Sequence, residues 1–576
     1  MDASEQTSLE PSPWRELWQK AGVAESAVAL ASFLVYLRSL TLGLVYDDHG
    51  MVQTPFPWSW SNVAAVFQRD ISPDHAANFF RPLTTLWQGA VAWVAGSNAA
   101  AWHFSNLLLF ALCTVLVFRL AAKLLGSRAY AVLAAALFLV HPTHVEAVTW
   151  ISDAADSLLT IFLLLAALAL LRGLQSARPA WLVLSWVAVT AGCLVKETGV
   201  IVPLLLLALV WWRGERLAQP RVVLTFAGYA ISVLSFLAQR SQVLHGFSHP
   251  LATTSNAEML LTIPAALWFY LSHLLLPLKL ALFYPLALVN SGQSGAFLLP
   301  VFLLLVIAVA AAVLAVRLHL SRAALLFAAW VAVPLLPPLY LKLFPAFELV
   351  HDRYLFIPTI ALGMGLAALL QHYEPKLRAR GVGQGIAPLV ALVLLAAAAE
   401  TVAYQGAWAD DLTLFTRAVE TTPGNDRALV NLGVNQLQRG NVQEGAVLLQ
   451  RALALNPGNA LALFDLGNVA WNGNNLPAAA SYFERAAAIE PHPEWLIMLA
   501  KADYRMNRFA DVEQAASQAL ARNPAEPGAH FMLGLARYNQ GDTASAAREF
   551  SAELSLFPQE TAARQALQAL GQEMVR

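Results

Sequence analysis

The chain has 576 residues, 58% hydrophobic and 13% charged, with 36 Lys and Arg against 37 Asp and Glu for a formal net charge of −1. A mean hydropathy of +0.55 over this length excludes an ordinary soluble domain and makes the chain a polytopic membrane protein. The even charge excludes a generally basic surface and, with it, nucleic acid as a partner. The two cysteines, Cys113 and Cys193, lie within apolar runs and form neither a disulfide framework nor a CxxC metal site.

Residues 1–23 carry acids together with Arg15 and Lys20, and no small-residue cleavage site follows the first apolar run. An uncleaved first span is therefore expected, with the N-terminus cytoplasmic. Apolar runs able to cross, or nearly cross, a hydrocarbon core of about 30 Å begin near Ala24, Trp102, Arg128, Ala154, Ala180, Gly199, Arg221, Phe297, Arg322, Arg353 and Gly385. They predict about eleven crossings in a helical domain over 24–404. Two further stretches, Pro82 to Ala95 and Met259 to Leu276, are expected to be interfacial or re-entrant helices. Counted that way, the basic groups at Lys123/Arg128, Arg172/Arg178, Arg213/Arg216/Arg221, Arg317/Arg322 and Lys376/Arg378/Arg380 all fall on the cytoplasmic side. The opposite face then receives a first loop over 46–101, later polar clusters and everything after Tyr404.

Beyond Ala403 the composition turns soluble and a period appears. Pro423, Pro457, Pro491, Pro524 and Pro558 are separated by 34, 34, 33 and 34 residues. Leu466-Gly467, Ala479, Phe483 and Ala486 in the second unit recur two periods on, in the fourth, as Leu533-Gly534, Ala546 and Phe550, the small and large residues that a helical hairpin needs. The third unit has Leu499-Ala500 and one residue fewer. Residues 405–576 are expected to form an α-solenoid of a half-repeat, Trp408 to Thr422, plus four tetratricopeptide-like repeats.

The candidate chemistry gathers on the non-cytoplasmic face in five clusters. The first runs from Asp47, Asp48 and His49 through Arg69, Asp70, Asp74, His75 and Asn78 to Arg81. The second holds His141, His144, Glu146, Asp153 and Asp156, and the third Lys196 and Glu197. A loop from His245 to His249 and a segment with Glu348, His351, Asp352, Arg353 and Tyr354 complete the set. Ionised groups at the lip of a span are costly unless they face a protein interior or a watery cavity. Each cluster has a structural alternative: Asp47 and Asp48 as a helix end, Lys196 with Glu197 and Asp352 with Arg353 as self-neutralising neighbours. His141, His144 and Glu146, with Asp48, would be the ligands of any metal, although HxxHxE is not the HExxH spacing of zinc proteases. Acids placed as general bases, with cations for a phosphate, suit transfer from a phosphate-activated donor to a hydroxyl. A lipid tail on the donor would explain a site at span ends, and the repeats offer a groove for an extended polypeptide.

Tyr46-Asp47-Asp48, Phe80-Arg81-Pro82-Leu83, HPTHVEAV at His141 to Val148, Lys196-Glu197 and Asp352 to Pro358 together resemble the TMTC-type protein O-mannosyltransferases and their bacterial relatives, from about Ala24 to Pro558. The resemblance implies an all-α GT-C glycosyltransferase domain followed by tetratricopeptide repeats, a polyprenyl- or dolichyl-phosphate sugar donor and protein hydroxyls as acceptors. It implies a catalytic base at Asp47 or Asp48 and donor-phosphate contacts at Arg81, Lys196 and Arg353. His141, His144, Glu146 and Asp156 match its second motif. Where relatives commonly have a basic turn before that aspartate, this chain has Asp153-Ala154, which leaves the sugar unassigned. The expected setting is a bacterial inner membrane with periplasmic repeats, or an endoplasmic reticulum membrane with lumenal ones. Two other readings remain open: a transferase acting on lipid or cell-wall glycan, and a non-enzymatic membrane scaffold.

Overall fold

Hydrocarbon leaves backbone groups no partner but one another, so spanning segments are helices or closed barrels. Every regular element among the described residues is a helix. The computed structural model describes residues 21–53, 59–68, 79–176, 178–246, 254–317, 321–345, 348–381 and 385–575. The expectations placed on Arg15, Lys20, Arg69, Asp70, Asp74, His75, Asn78 and His249 lie outside them.

Among the described residues, eight helices are long and apolar enough to cross a membrane: Gly22–Thr41, Ala99–Leu125, Ile151–Gln175, Pro220–Val243, Asn256–Leu275, Gly295–Arg317, Asp352–Ala379 and Ile386–Trp408. Four shorter apolar helices, Arg128–Leu139, Ala180–Val195, Glu197–Trp212 and Arg322–Leu335, accompany them. All eleven sequence-expected crossings correspond to one of these twelve. The twelfth, Asn256–Leu275, was expected to be interfacial or re-entrant on loop charge. It is one continuous helix, opened by a capping box of Ser255 and Glu258 and carrying Pro264 inside, and its length and composition suffice for crossing. Pro82–Ala95, at 14 residues, is too short for that.

The chain divides into two compact units, one ending at Leu414 and one beginning at Phe415. In the first, the candidate residues stand where helices start or stop. Three of the clusters are short 3₁₀ turns that lead into a longer helix: Ile151–Asp153 before Ala154–Gln175, Glu197–Ile201 before Val202–Trp212, and Asp352–Leu355 before Phe356–Ala379. Such turns leave backbone groups and side chains free of the helical ladder, which is what a polar site needs at membrane depth. Close packing fixes one of them. A Cβ on Gly199 would lie 2.5 Å from the Gly192 carbonyl oxygen and 2.8 Å from the Cys193 nitrogen, so only glycine allows the 197–201 turn to fold back on the preceding helix and set the direction of Lys196.

The second unit repeats one hairpin. Helices Asp426–Gln438 and Val442–Leu455, Ala460–Asn472 and Leu476–Ile489, Pro493–Arg505 and Phe509–Arg522, and Ala529–Asn539 and Thr543–Leu556 form four pairs, followed by Thr561–Val575. Asn425 and Asn459, one period apart, accept from the backbone N–H three residues on and start the first helices of two repeats. A Cβ on Gly467 would meet the Phe483 ring at 2.5 Å, the small-against-large fit read from the sequence. The third pair keeps the arrangement with the fully buried Ala500 in place of glycine.

Candidate active site at the span ends

The acidic pair sits on a sharp turn. Tyr46 has φ of +54°, and its N–H donates to Asp411 Oδ1 at 2.8 Å while His49 Nε2 lies 2.8 Å from Asp411 Oδ2. The two acids then part company: Asp47 is exposed and Asp48 is fully buried. Asp48 Oδ1 accepts from the Ser152 backbone N–H at 2.8 Å and its hydroxyl at 2.6 Å, and Oδ2 accepts from the Val45 N–H at 3.3 Å. Burial pushes the Asp48 carboxyl up to about 7, against the opposing pull of the Ser152 and Val45 bonds.

Glu146 is the second anchor. Its carboxylate is 1% exposed and accepts from Arg353 twice, from Nη1 at 2.7 Å and from the backbone N–H at 3.1 Å, with His351 Nδ1 at 3.5 Å. Burial alone would raise its pKa, but the Arg353 guanidinium and His351 hold it below the usual range. The same burial lowers His351. Arg353 lies over the Trp150 ring at 5.2 Å and the Tyr354 ring at 5.4 Å. Tyr46 packs on Trp150 from its own turn, ring centroids 5.8 Å apart. The acidic turn and Arg353 thus share Trp150, and Asp48 is fastened to the residue before Asp153.

The chain of charges continues through Tyr354, whose ring also lies 5.6 Å from Lys196 Nζ. Lys196 bonds Asp156 Oδ1 at 2.7 Å and approaches Asp153 Oδ1 at 3.8 Å. Arg81, the residue before the helix Pro82–Ala95, grips Glu197 with two nitrogens, the Nε to Oε2 bond being 2.8 Å, and stands over Phe79 at 4.4 Å. Lys196 and Glu197 are therefore not each other's partners, and neither are Asp352 and Arg353: Asp352 accepts from the Tyr284 hydroxyl. Neighbouring residues on a 3₁₀ turn point about 120° apart, so each finds its counter-charge in a different part of the fold. All three candidate phosphate contacts are paired with carboxylates. The Arg81 and Arg353 side chains keep 17% and 16% exposure and Lys196 only 4%, so the two arginines are the more accessible.

The histidines serve elsewhere. His141 Nε2 lies 3.0 Å from the Leu274 carbonyl and Nδ1 2.8 Å from the Thr143 hydroxyl, and burial pushes its pKa down to about 4. His144 bonds the Thr359 hydroxyl at 2.7 Å, and its ring packs against Phe138 and Phe356. Among the described residues no three His, Cys, Asp or Glu form a group able to hold a metal. Asp48, His141, His144 and Glu146, the conditional ligands, each have the partners just given. His245, at the edge of its loop, has φ of +52°.

Sequence reasoning missed Ser152, Trp150, Tyr284 and Asp411. Trp150 and Ser152 stand beside motif residues, and adjacency alone would have flagged them. Tyr284 and Asp411 meet their partners only through the fold.

Stretches of the chain match two known families. Residues 74–239 match the family model described as dolichyl-phosphate-mannose-protein mannosyltransferase, and residues 430–493 and 497–561 match tetratricopeptide repeat. Protein O-mannosyl-transferase TMTC1 of Mus musculus is 34% identical over 197 residues, 31% of this chain and 21% of that protein. Protein O-mannosyl-transferase Tmtc2 of Drosophila melanogaster is 36% identical over 184 residues, 29% of this chain and 19% of its own. The match to protein O-mannosyl-transferase TMTC3 of Mus musculus extends over 446 residues at 24% identity, 69% of this chain and 47% of that protein. The chain thus spans from about a fifth to about half the length of these relatives. It is a distant relative of the TMTC-type protein O-mannosyltransferases, a multi-pass membrane protein that joins a mannosyltransferase-like segment to tetratricopeptide repeats.

Proposed function

We propose that the chain transfers a monosaccharide from a polyprenyl-phosphate donor to serine or threonine hydroxyls of exported proteins, at the non-cytoplasmic face of a bacterial inner membrane. The observation that carries this reading is the single polar cluster in which the Asp47–Asp48 turn, Arg353, Lys196 and their carboxylates are joined through Trp150, Tyr354 and Ser152. The acceptor oxygen attacks the anomeric carbon, the bond from that carbon to the phosphate oxygen breaks, and the acceptor proton passes to a carboxylate. Asp47 is assigned that proton because it is the exposed member of the pair, whereas Asp48, buried and triply bonded, holds the turn. The leaving phosphate carries the negative charge that develops, and Arg81 and Arg353, partly accessible, are assigned to it, with Lys196 behind them. Each cation would share its charge between the phosphate and a resident carboxylate, which keeps the site neutral enough to exist before the donor arrives.

The test uses purified full-length protein, a panel of polyprenyl-phosphate hexoses and a serine-rich peptide. One donor should yield glycosylated peptide with the wild type and none with Asp47→Asn at unchanged thermal stability. Undiminished transfer by Asp47→Asn would refute the base assignment. Transfer to lipid rather than peptide would favour the lipid-acceptor reading.

A further inference from the structure

The acidic turn is fastened at three points to the segment that follows the helix Ile386–Trp408. The Gly43 N–H donates to the Ala409 carbonyl at 2.9 Å, the Tyr46 N–H donates to Asp411 Oδ1 at 2.8 Å, and His49 Nε2 lies 2.8 Å from Asp411 Oδ2. A Cβ on Gly43 would come within 3.1 Å of the Ala409 oxygen, so the two segments run close. An ionised carboxylate only accepts, so Nε2 carries the imidazole hydrogen and Nδ1 is left with its lone pair. Among the described residues Nδ1 has no hydrogen-bond partner, and the His49 side chain keeps 45% exposure against 19% for Asp411. Holding the turn needs only an N–H donor at position 49. The residue there offers a basic nitrogen as well, on the outward side: Asp48 points in to Ser152, while Asp47 and His49 on either side of it reach the surface.

Resting on the reading that the chain transfers a sugar to a hydroxyl, we propose that His49, oriented by Asp411, is a second proton-handling residue of that reaction. Asp47 draws the proton as the acceptor oxygen bonds to the anomeric carbon. His49 Nδ1 then takes that proton from the Asp47 carboxyl, directly or through one water, and gives it to bulk solvent. The acceptor O–H bond breaks, an N–H bond forms, and the carboxylate is restored for the next acceptor. Imidazole is a stronger base than carboxylate, which gives the transfer its direction. A carboxylate behind an imidazole fixes its tautomer and balances the imidazolium that forms, and Asp411 stands in that place.

The experiment follows transfer to the serine-rich peptide by purified full-length protein, across the panel of polyprenyl-phosphate hexoses. His49→Gln keeps an amide N–H for Asp411 and so keeps the clamp, but has no basic nitrogen. It should lower kcat about a hundredfold, the low end for a proton-transfer group, with donor KM unchanged. His49→Ala should lose activity to a similar degree and regain it when imidazole is added. Added 1,2,4-triazole, of the same shape and far less basic, should restore nothing. A clamp without proton transfer would be spared by glutamine and would not separate the two rescuers. Undiminished turnover by His49→Gln, or rescue by triazole equal to that by imidazole, overturns the proposal while leaving the transferase reading in place. No transfer by the wild type with any donor would defeat that reading and this proposal together.

Discussion

Replacing Asp48 by asparagine should change stability with a sign that depends on pH. The folded carboxyl keeps its proton up to about pH 7, whereas an ordinary one releases it near 3.8. Between those values the folded state binds more protons than the unfolded, so the Asp48 contribution falls as pH rises. At 1.36 kcal/mol per pH unit, the two units from pH 5 to pH 7 remove about 2.7 kcal/mol. Asparagine does not titrate. Its oxygen can keep both Ser152 bonds, but its amide then faces the Val45 N–H, one lost acceptor worth about 1–3 kcal/mol. Wild type should accordingly be the more stable at pH 5, and Asp48→Asn as stable or more so at pH 8. Thermal unfolding of the two purified proteins in one detergent across this range gives the difference directly, since titrations common to both cancel. A difference that stays flat, or that moves in favour of wild type as pH rises, would refute the picture of a buried carboxyl that ionises at a cost.

Three further outcomes follow from the same geometry. Glu146→Gln leaves the Arg353 guanidinium, 16% exposed, without its charge partner, and should cost about 1–3 kcal/mol, read as a lowered unfolding midpoint. Asp411→Ala removes the acceptor of both the Tyr46 N–H and His49; it should lower kcat for transfer with little change in donor KM, since it acts through the turn and touches no donor. Gly199→Ala drives a Cβ into backbone 2.5 Å away and should cost about 1–3 kcal/mol, with activity falling alongside because the Lys196 turn must shift.

The repeats could be read from sequence because their fit is local and periodic: a small residue faces a large one at the same position of the hairpin, as at Gly433 with Leu449, Gly467 with Phe483 and Gly534 with Phe550. The spans were legible for a similar reason, apolarity being a property of a run and not of a contact. The site was legible only as a list. HPTHVEAV reads as one motif, yet His144 and Glu146, two apart on one helix, point about 160° away from each other. One turns to Phe138 and Phe356, the other to Arg353. Adjacent opposite charges suggest pairs that the fold does not make, since Lys196 takes Asp156 and Arg81 takes Glu197. Asp411 could not have been singled out at all, being separated from Tyr46 by 365 residues and carrying no motif of its own.

The measurement closest to the central claim is glycopeptide mass spectrometry of exported proteins from cells carrying the wild type, Asp47→Asn or no copy of this chain. The account predicts a sugar mass on serine or threonine in the first and its absence in the other two. The same modified peptides in all three, or no sugar-bearing peptide in any, would contradict it.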